Sequence, residues 1–121
     1  MPAFSRRSRA RLATCHPDLR RVLEAAILDT DFAVLCGHRT QEEQESAYAA
    51  GHSRARWGQS KHNSQPSRAV DIAPYPIAWD DPGRFRSLAE VILHHAHVQG
   101  VSLRWGGTFR SLVDMPHFEL R

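Results

Sequence analysis

Apolar residues return every three or four positions through residues 17–28, where Leu19, Val22, Leu23, Ala26 and Ile27 share one face. That spacing predicts a helix with one buried side. Pro17 suits its first turn, where a missing N–H would go unpaired in any case. Residues 32–36 then form a short apolar run around Val34 and Leu35, read as a strand that Gly37 closes. Thr40 and Glu43 stand at the spacing of a capping box, so a second helix is predicted to run to about Ala50 and stop at Gly51. Residues 52–67 lose all periodicity and carry Gly58, Asn63, Pro66 and several serines. A polar loop of this length inside a compact domain is usually functional or disordered. Residues 69–73 read as a strand closed by Pro74 and Pro76. Residues 80–83 are a turn opening a third helix at Pro82 or Arg84, with Phe85, Leu88, Ala89, Ile92 and Ala96 as its apolar stripe and Gly100 as its stop. Residues 101–105 and 116–120 read as two final strands, with Gly106-Gly107 as a turn after the first. The order α, β, α, β, α, β, β predicts an α+β domain with a small, largely antiparallel sheet and helices packed around it.

A chain of 121 residues is expected to be a single domain over 1–121 with a real core. No apolar run approaches the roughly 20 residues that span a bilayer, so membrane insertion is not expected. Residues 1–16 form a basic segment with no apolar run behind it, which does not read as a secretory signal. The protein is therefore expected in the cytoplasm. The net charge is +3, and six arginines fall in the first 21 residues. That charge would attract an acidic polymer, or simply form a solvated helix face. No nucleic-acid motif accompanies it, so a nucleic-acid partner is not expected. Cys15 and Cys36 lack the spacing of a thiolate zinc site and are expected as buried free thiols.

Three separated pieces carry the candidate chemistry: Ser60-Lys61-His62, Arg68-Ala69-Val70-Asp71 and Asp114-Met115-Pro116-His117. His62, Asp71 and His117 are the ligand types of a catalytic zinc site that keeps one position open for water. Asp114 is then placed to accept a proton. In an unbroken strand, residues three apart face opposite sides. Asp114 therefore shares a site with His117 only if the chain bends between them, and Pro116 favours a bend there. Spacing alone does not establish a metal site, because a lone His–Asp pair is more often a structural hydrogen bond and no HExxH helix is present. His94, His95 and His97 read as exposed residues near a helix C-terminus. Trp57 and Trp79 read as core or groove residues, and His38 and His52 as cleft or surface residues.

Ser60-Lys61-His62, Ala69-Val70-Asp71-Ile72 and Trp105 through Asp114-Met115-Pro116-His117-Phe118 resemble the LAS-type zinc peptidases of the bacterial cell wall. That family groups D-alanyl-D-alanine carboxypeptidases with phage L-alanyl-D-glutamate endopeptidases. Gly37-His38-Arg39-Thr40 with Glu43-Gln44 resembles the family's strand-to-helix segment, and the likeness covers about 32–120. The resemblance implies a Zn2+ held by His62, Asp71 and His117 in a cleft on the sheet, with Asp114 as general base. It implies that Arg39 binds a substrate carboxylate or an oxyanion, and that Ser60 orients a substrate group or a ligand. Read from the residues themselves, Trp105 beside Gly106-Gly107 is the candidate for a substrate-facing ring, and Tyr75, between two prolines just after Asp71, is expected to border the site. The step from His62 to Asp71 is nine residues, longer than in many members and similar to the phage-type subgroup. The expected partner is a peptidoglycan stem peptide, cut between L-alanine and D-glutamate by a monomer without a wall-binding domain. Such a protein would be a lysis enzyme in a phage-infected host, acting on the wall after release. The alternatives are a carboxypeptidase on the same scaffold, a non-catalytic wall-binding module and a basic nucleic-acid binder.

Overall fold

The computed structural model describes residues 2–110 and 112–121. Among these residues, four helices pack with a four-stranded sheet: α1 (Arg6–Leu12), α2 (Pro17–Ala26), β1 (Phe32–Cys36), α3 (Gln41–Ala49), β2 (Ala69–Pro74), α4 (Pro82–Val98), β3 (Leu103–Trp105) and β4 (His117–Leu120). Short 3-10 turns lie at Lys61–Asn63 and Gly106–Thr108. The strand order is β1-β2-β4-β3, and every neighbouring pair is antiparallel. The predicted α+β class and sheet type are therefore the observed ones. Among the described residues, no helix is long and apolar enough to cross a membrane.

Strand alternation divides the chemistry from the core. Val70 and Ile72 of β2 and Phe118 and Leu120 of β4 join Leu19, Leu23, Leu88 and Ile92 from α2 and α4 in one buried cluster. Asp71, His117 and Glu119, on the alternate positions, occupy the other face of the sheet. The predicted helix stops hold as well. Gly51 and Gly100 follow α3 and α4 with φ of 78° and 71°, a backbone region that favours glycine.

Helix α1 is absent from the sequence reading, which took 1–16 as a basic segment. It is only seven residues long, and Arg6, Arg7 and Arg9 give it a solvent face with little apolar pattern. Tertiary contacts hold it instead: Leu12 is buried, Phe4 meets Phe32 edge-on at 5.4 Å, and the Ser8 hydroxyl accepts from the Val34 amide at 3.0 Å. That last bond satisfies a donor on the sheet's edge strand.

Candidate metal centre and active site

The long polar loop is held by hydrogen bonds from its own side chains and from α3 and the segment before it. The Ser60 hydroxyl caps the Lys61–Asn63 turn by accepting from the His62 amide at 3.2 Å. Gln44, wholly buried on α3, donates to Ser53 Oγ and the Ala55 carbonyl and accepts from Arg39 Nη1 and Asn63 Nδ2. The Arg39 amide donates to the His62 carbonyl at 2.8 Å. His62 is thereby carried into the fold, where only 2% of it is exposed.

Three donors converge on the polar face of the sheet. His62 Nε2 lies 3.2 Å from Asp71 Oδ1, and His117 Nδ1 lies 3.1 Å from the same oxygen. Asp71 and His117 are direct cross-strand partners in β2 and β4. Each imidazole is oriented from behind: His62 Nδ1 sits 2.7 Å from the Gly37 carbonyl, and His117 Nε2 sits 2.8 Å from Glu119 Oε1. A hydrogen bond at one ring nitrogen leaves the lone pair of the other free, as a metal-binding histidine requires. Ligand atoms held tetrahedrally at about 2.0–2.1 Å from a zinc ion stand roughly 3.3–3.4 Å apart. The observed separations are close to that edge, so these residues fit a divalent ion.

Asp114 joins the group. One ligand atom each from Asp71, Asp114 and His117 lies within 4.8 Å of the others. The chain does bend before β4: the His117 amide donates to the Asp114 carbonyl at 3.1 Å, and the Asp114 amide donates to the Gly106 carbonyl at 2.9 Å. Asp114 therefore stands in a turn, free of strand alternation. Gly106 makes this possible, because a Cβ there would fall 2.1 Å from the Asp114 carbonyl oxygen and 3.0 Å from His117 Cβ. Gly106→Ala is expected to displace both residues and to lower activity and metal retention together. Retention of both at wild-type level, measured by cleavage rate and metal content, would show the turn to be more compliant than this contact implies.

The electrostatics centre on Asp71. Burial opposes its charge, but His117 and His62 hold its carboxyl well below the usual carboxylate range. Burial likewise works against an imidazolium at His62, yet the Asp71 carboxylate, with Cys36 beside it, raises His62 from 6.5 to about 10. His117 is raised for the same reason, by Asp71 and Glu119 against its burial. Asp114 is pushed up by burial and then by the Asp71 charge. A carboxyl raised in this way is closer to the range of a general base working near neutral pH. Arg39 Nη2 lies 3.6 Å from the second oxygen of Asp71, so its guanidinium borders the same centre.

The remaining candidates are placed differently. Ser60 faces the His62 amide as a cap. Trp105 stacks on Phe118 at 6.4 Å and donates its indole N–H to the Met115 carbonyl at 2.7 Å, pinning the segment that carries Asp114. Tyr75 is not brought to the centre. It lies four positions beyond Asp71, about 13 Å along an extended strand, and lines a separate depression with Asp31 and Arg84. His95 meets Asp29 at 2.5 Å, away from the ligands, and His52 is exposed.

Cys36, expected as a buried core thiol, is only partly buried and lies with His62 and Asp71 in a second group of ligand types. Its Sγ is 3.9 Å from His62 Nδ1. The cause is a register shift between Val34 and Cys36: Val34 pairs with Ile72, but Cys36 pairs with Asp71. A bulge of this kind inverts the side-chain alternation, so Cys36 leaves the face of Val34 for that of Asp71. Sequence reading also missed Gln44 as an organiser and Glu119 as a partner of His117. The signal for Glu119 was present, since residues two apart on a strand share a face.

Comparisons with known proteins bear on the family and the fold. The model of the phage L-alanyl-D-glutamate peptidase family matches residues 2–120. The L-alanyl-D-glutamate peptidase of Escherichia phage T5 is 28% identical over 123 aligned positions, covering 98% of this chain and 88% of that protein. The crystal structure of the Serratia marcescens L-Ala D-Glu endopeptidase ChiX superposes with a TM-score of 0.85 at 29% identity, covering 99% of this chain and 91% of the other. With nearly its whole length matched in sequence and in fold, the chain belongs to the phage L-alanyl-D-glutamate peptidase family.

Proposed function

We propose that this protein is a zinc-dependent endopeptidase that cuts peptidoglycan stem peptides between L-alanine and D-glutamate, working as a monomeric single domain. The observation that carries the reading is the convergence of His62, Asp71 and His117 on one point, with both imidazoles oriented from behind and Asp114 alongside. His62, Asp71 and His117 would hold the ion. Zinc in such a centre supplies a Lewis acid for the scissile carbonyl and lowers the pKa of water. Asp114 takes the proton of the attacking water and returns it to the leaving amine nitrogen, so one carboxyl serves both halves of the reaction. Arg39 offers a planar fork to the developing oxyanion or to a substrate carboxylate. All of these groups come from one chain, so the reading needs no partner subunit.

The test is product analysis. The metal-loaded protein is incubated with purified peptidoglycan, and the fragments are read by mass spectrometry. New ends at an L-alanine carboxyl and a D-glutamate amine are expected. Released D-alanine would instead assign the chain to carboxypeptidase chemistry, and no cleavage at all would favour a wall-binding role.

A further inference from the structure

Beyond His117, away from Arg39, the polar face of the sheet continues into an open depression of about 500 Å3 lined by Arg104, Thr108, Phe109, Arg110 and Glu119. It adjoins the reacting centre directly: the Phe109 ring lies 5.7 Å from the His117 ring, and Glu119 is the residue that orients His117. Arg104 is the cross-strand partner of Glu119, and its guanidinium rests 4.9 Å above the Phe109 ring, which holds it in place. The charges do not cancel. The Glu119 carboxylate is already taken by His117 at 2.8 Å and by Lys61 at 3.1 Å, and Arg104 reaches it only at 3.8 Å. Among the described residues, no carboxylate lies within ion-pair distance of Arg110. Two arginines thus face a cavity beside the catalytic centre with their donors largely unspent.

We infer that the Arg104–Arg110 depression is a subsite for a free carboxylate of the substrate's D-glutamyl residue. This rests on the proposed cleavage at an L-alanyl-D-glutamate bond. A glutamyl residue has two carboxyl groups and continues a peptide chain through at most one of them, so the leaving half carries a free carboxylate a few bonds from the scissile nitrogen. Arginine is the side chain suited to such a group, because its planar donors match both carboxylate oxygens. The subsite makes amidation of that carboxyl a specificity determinant, since a carboxamide offers neither the charge nor two acceptors.

The probe is N-acetyl-L-alanyl-D-glutamate with the scissile carbonyl reduced to methylene, together with its α-monoamide and its γ-monoamide. Binding to the metal-loaded protein is read by NMR titration. One of the two monoamides is expected to bind about tenfold more weakly than the diacid, and its identity says which carboxylate is held. Arg110→Gln and Arg104→Gln are expected to bind the diacid and that monoamide equally. The inference is overturned if the wild-type protein does not distinguish acid from amide. Discrimination that survives in both variants, or that vanishes only in Arg39→Gln, overturns it as well. Cleavage of the unreduced dipeptide is scored separately, so an inactive protein that still shows the expected binding contradicts the peptidase reading and not the subsite.

Discussion

Replacing Asp114 with asparagine is expected to lower cell-wall peptide cleavage by roughly 10²–10⁴-fold, the usual contribution of a positioned acid–base group, while the metal content stays at the wild-type level. Asp114 stands in the turn before β4 with its amide bonded to the Gly106 carbonyl. Asparagine keeps the size and the backbone bond and removes the proton acceptor. The environment agrees with that role, because burial and the neighbouring Asp71 charge both raise the Asp114 carboxyl. Two results would overturn the assignment. Cleavage at the wild-type rate would show that another group handles the proton. Loss of the metal would make Asp114 a ligand, which its place in a group with Asp71 and His117 makes a meaningful alternative.

Removing the ion is the second large effect. A strong chelator is expected to abolish cleavage and zinc to restore it, with Asp71→Ala failing to retain metal under either condition. Glu119→Gln acts one step back, through the His117 ring, and is expected to weaken metal binding by roughly 10–100-fold. Protons compete for the same atoms, because the metal takes neutral imidazole. Against its burial, Asp71 and Cys36 raise His62 of the metal-free protein well above its ordinary 6.5, so loading at pH 7 is expected to expel its proton. Titration calorimetry in buffers of different ionisation heat measures that release. Binding with no net proton release would contradict the charged imidazolium–carboxylate cluster.

Stability follows with opposite signs in the two states. For the metal-free chain, His62 has a folded pKa above its ordinary 6.5, so its contribution is whole below that value and is lost as the pH rises through about 10. Asp71 is depressed, so its contribution is present above the ordinary carboxylate range and is lost only as acid reaches its lowered folded pKa. The metal-loaded chain gains stability as the pH rises and its ligands deprotonate. The Tm increment produced by zinc is therefore expected to grow between mildly acidic and mildly alkaline pH.

Much of this architecture is legible because its signals are local. The capping box at Thr40 and Glu43 is present with both reciprocal bonds, since it depends on residues three apart. The stripe of α4, from Phe85 to Ala96, is buried as its spacing predicts. Helix α1 is not legible in this way, because its stability comes from the edge of β1 and not from its own pattern. The Cys36 position shows the limit most clearly. Local alternation assigns it to the side of Val34, and a single register shift, visible only in the pairing with β2, turns it to the side of Asp71.

The sequence by itself determined which residues offer side chains of metal-ligand and acid–base type and which faces of the helices and strands are apolar. Those properties belong to side-chain type and short-range periodicity. Only the tertiary structure decided that His62, Asp71 and His117 meet within 3.2 Å or less of a shared oxygen, that Asp114 turns back toward them, and that Tyr75 stays apart. It also decided that Glu119, Gln44 and the Gly37 carbonyl hold the arrangement in place. Such decisions depend on strand pairing, a bulge and a buried amide, which bring together residues separated by 46 positions in the case of Asp71 and His117. Distances of that kind follow from the folded core as a whole, and no local pattern encodes them.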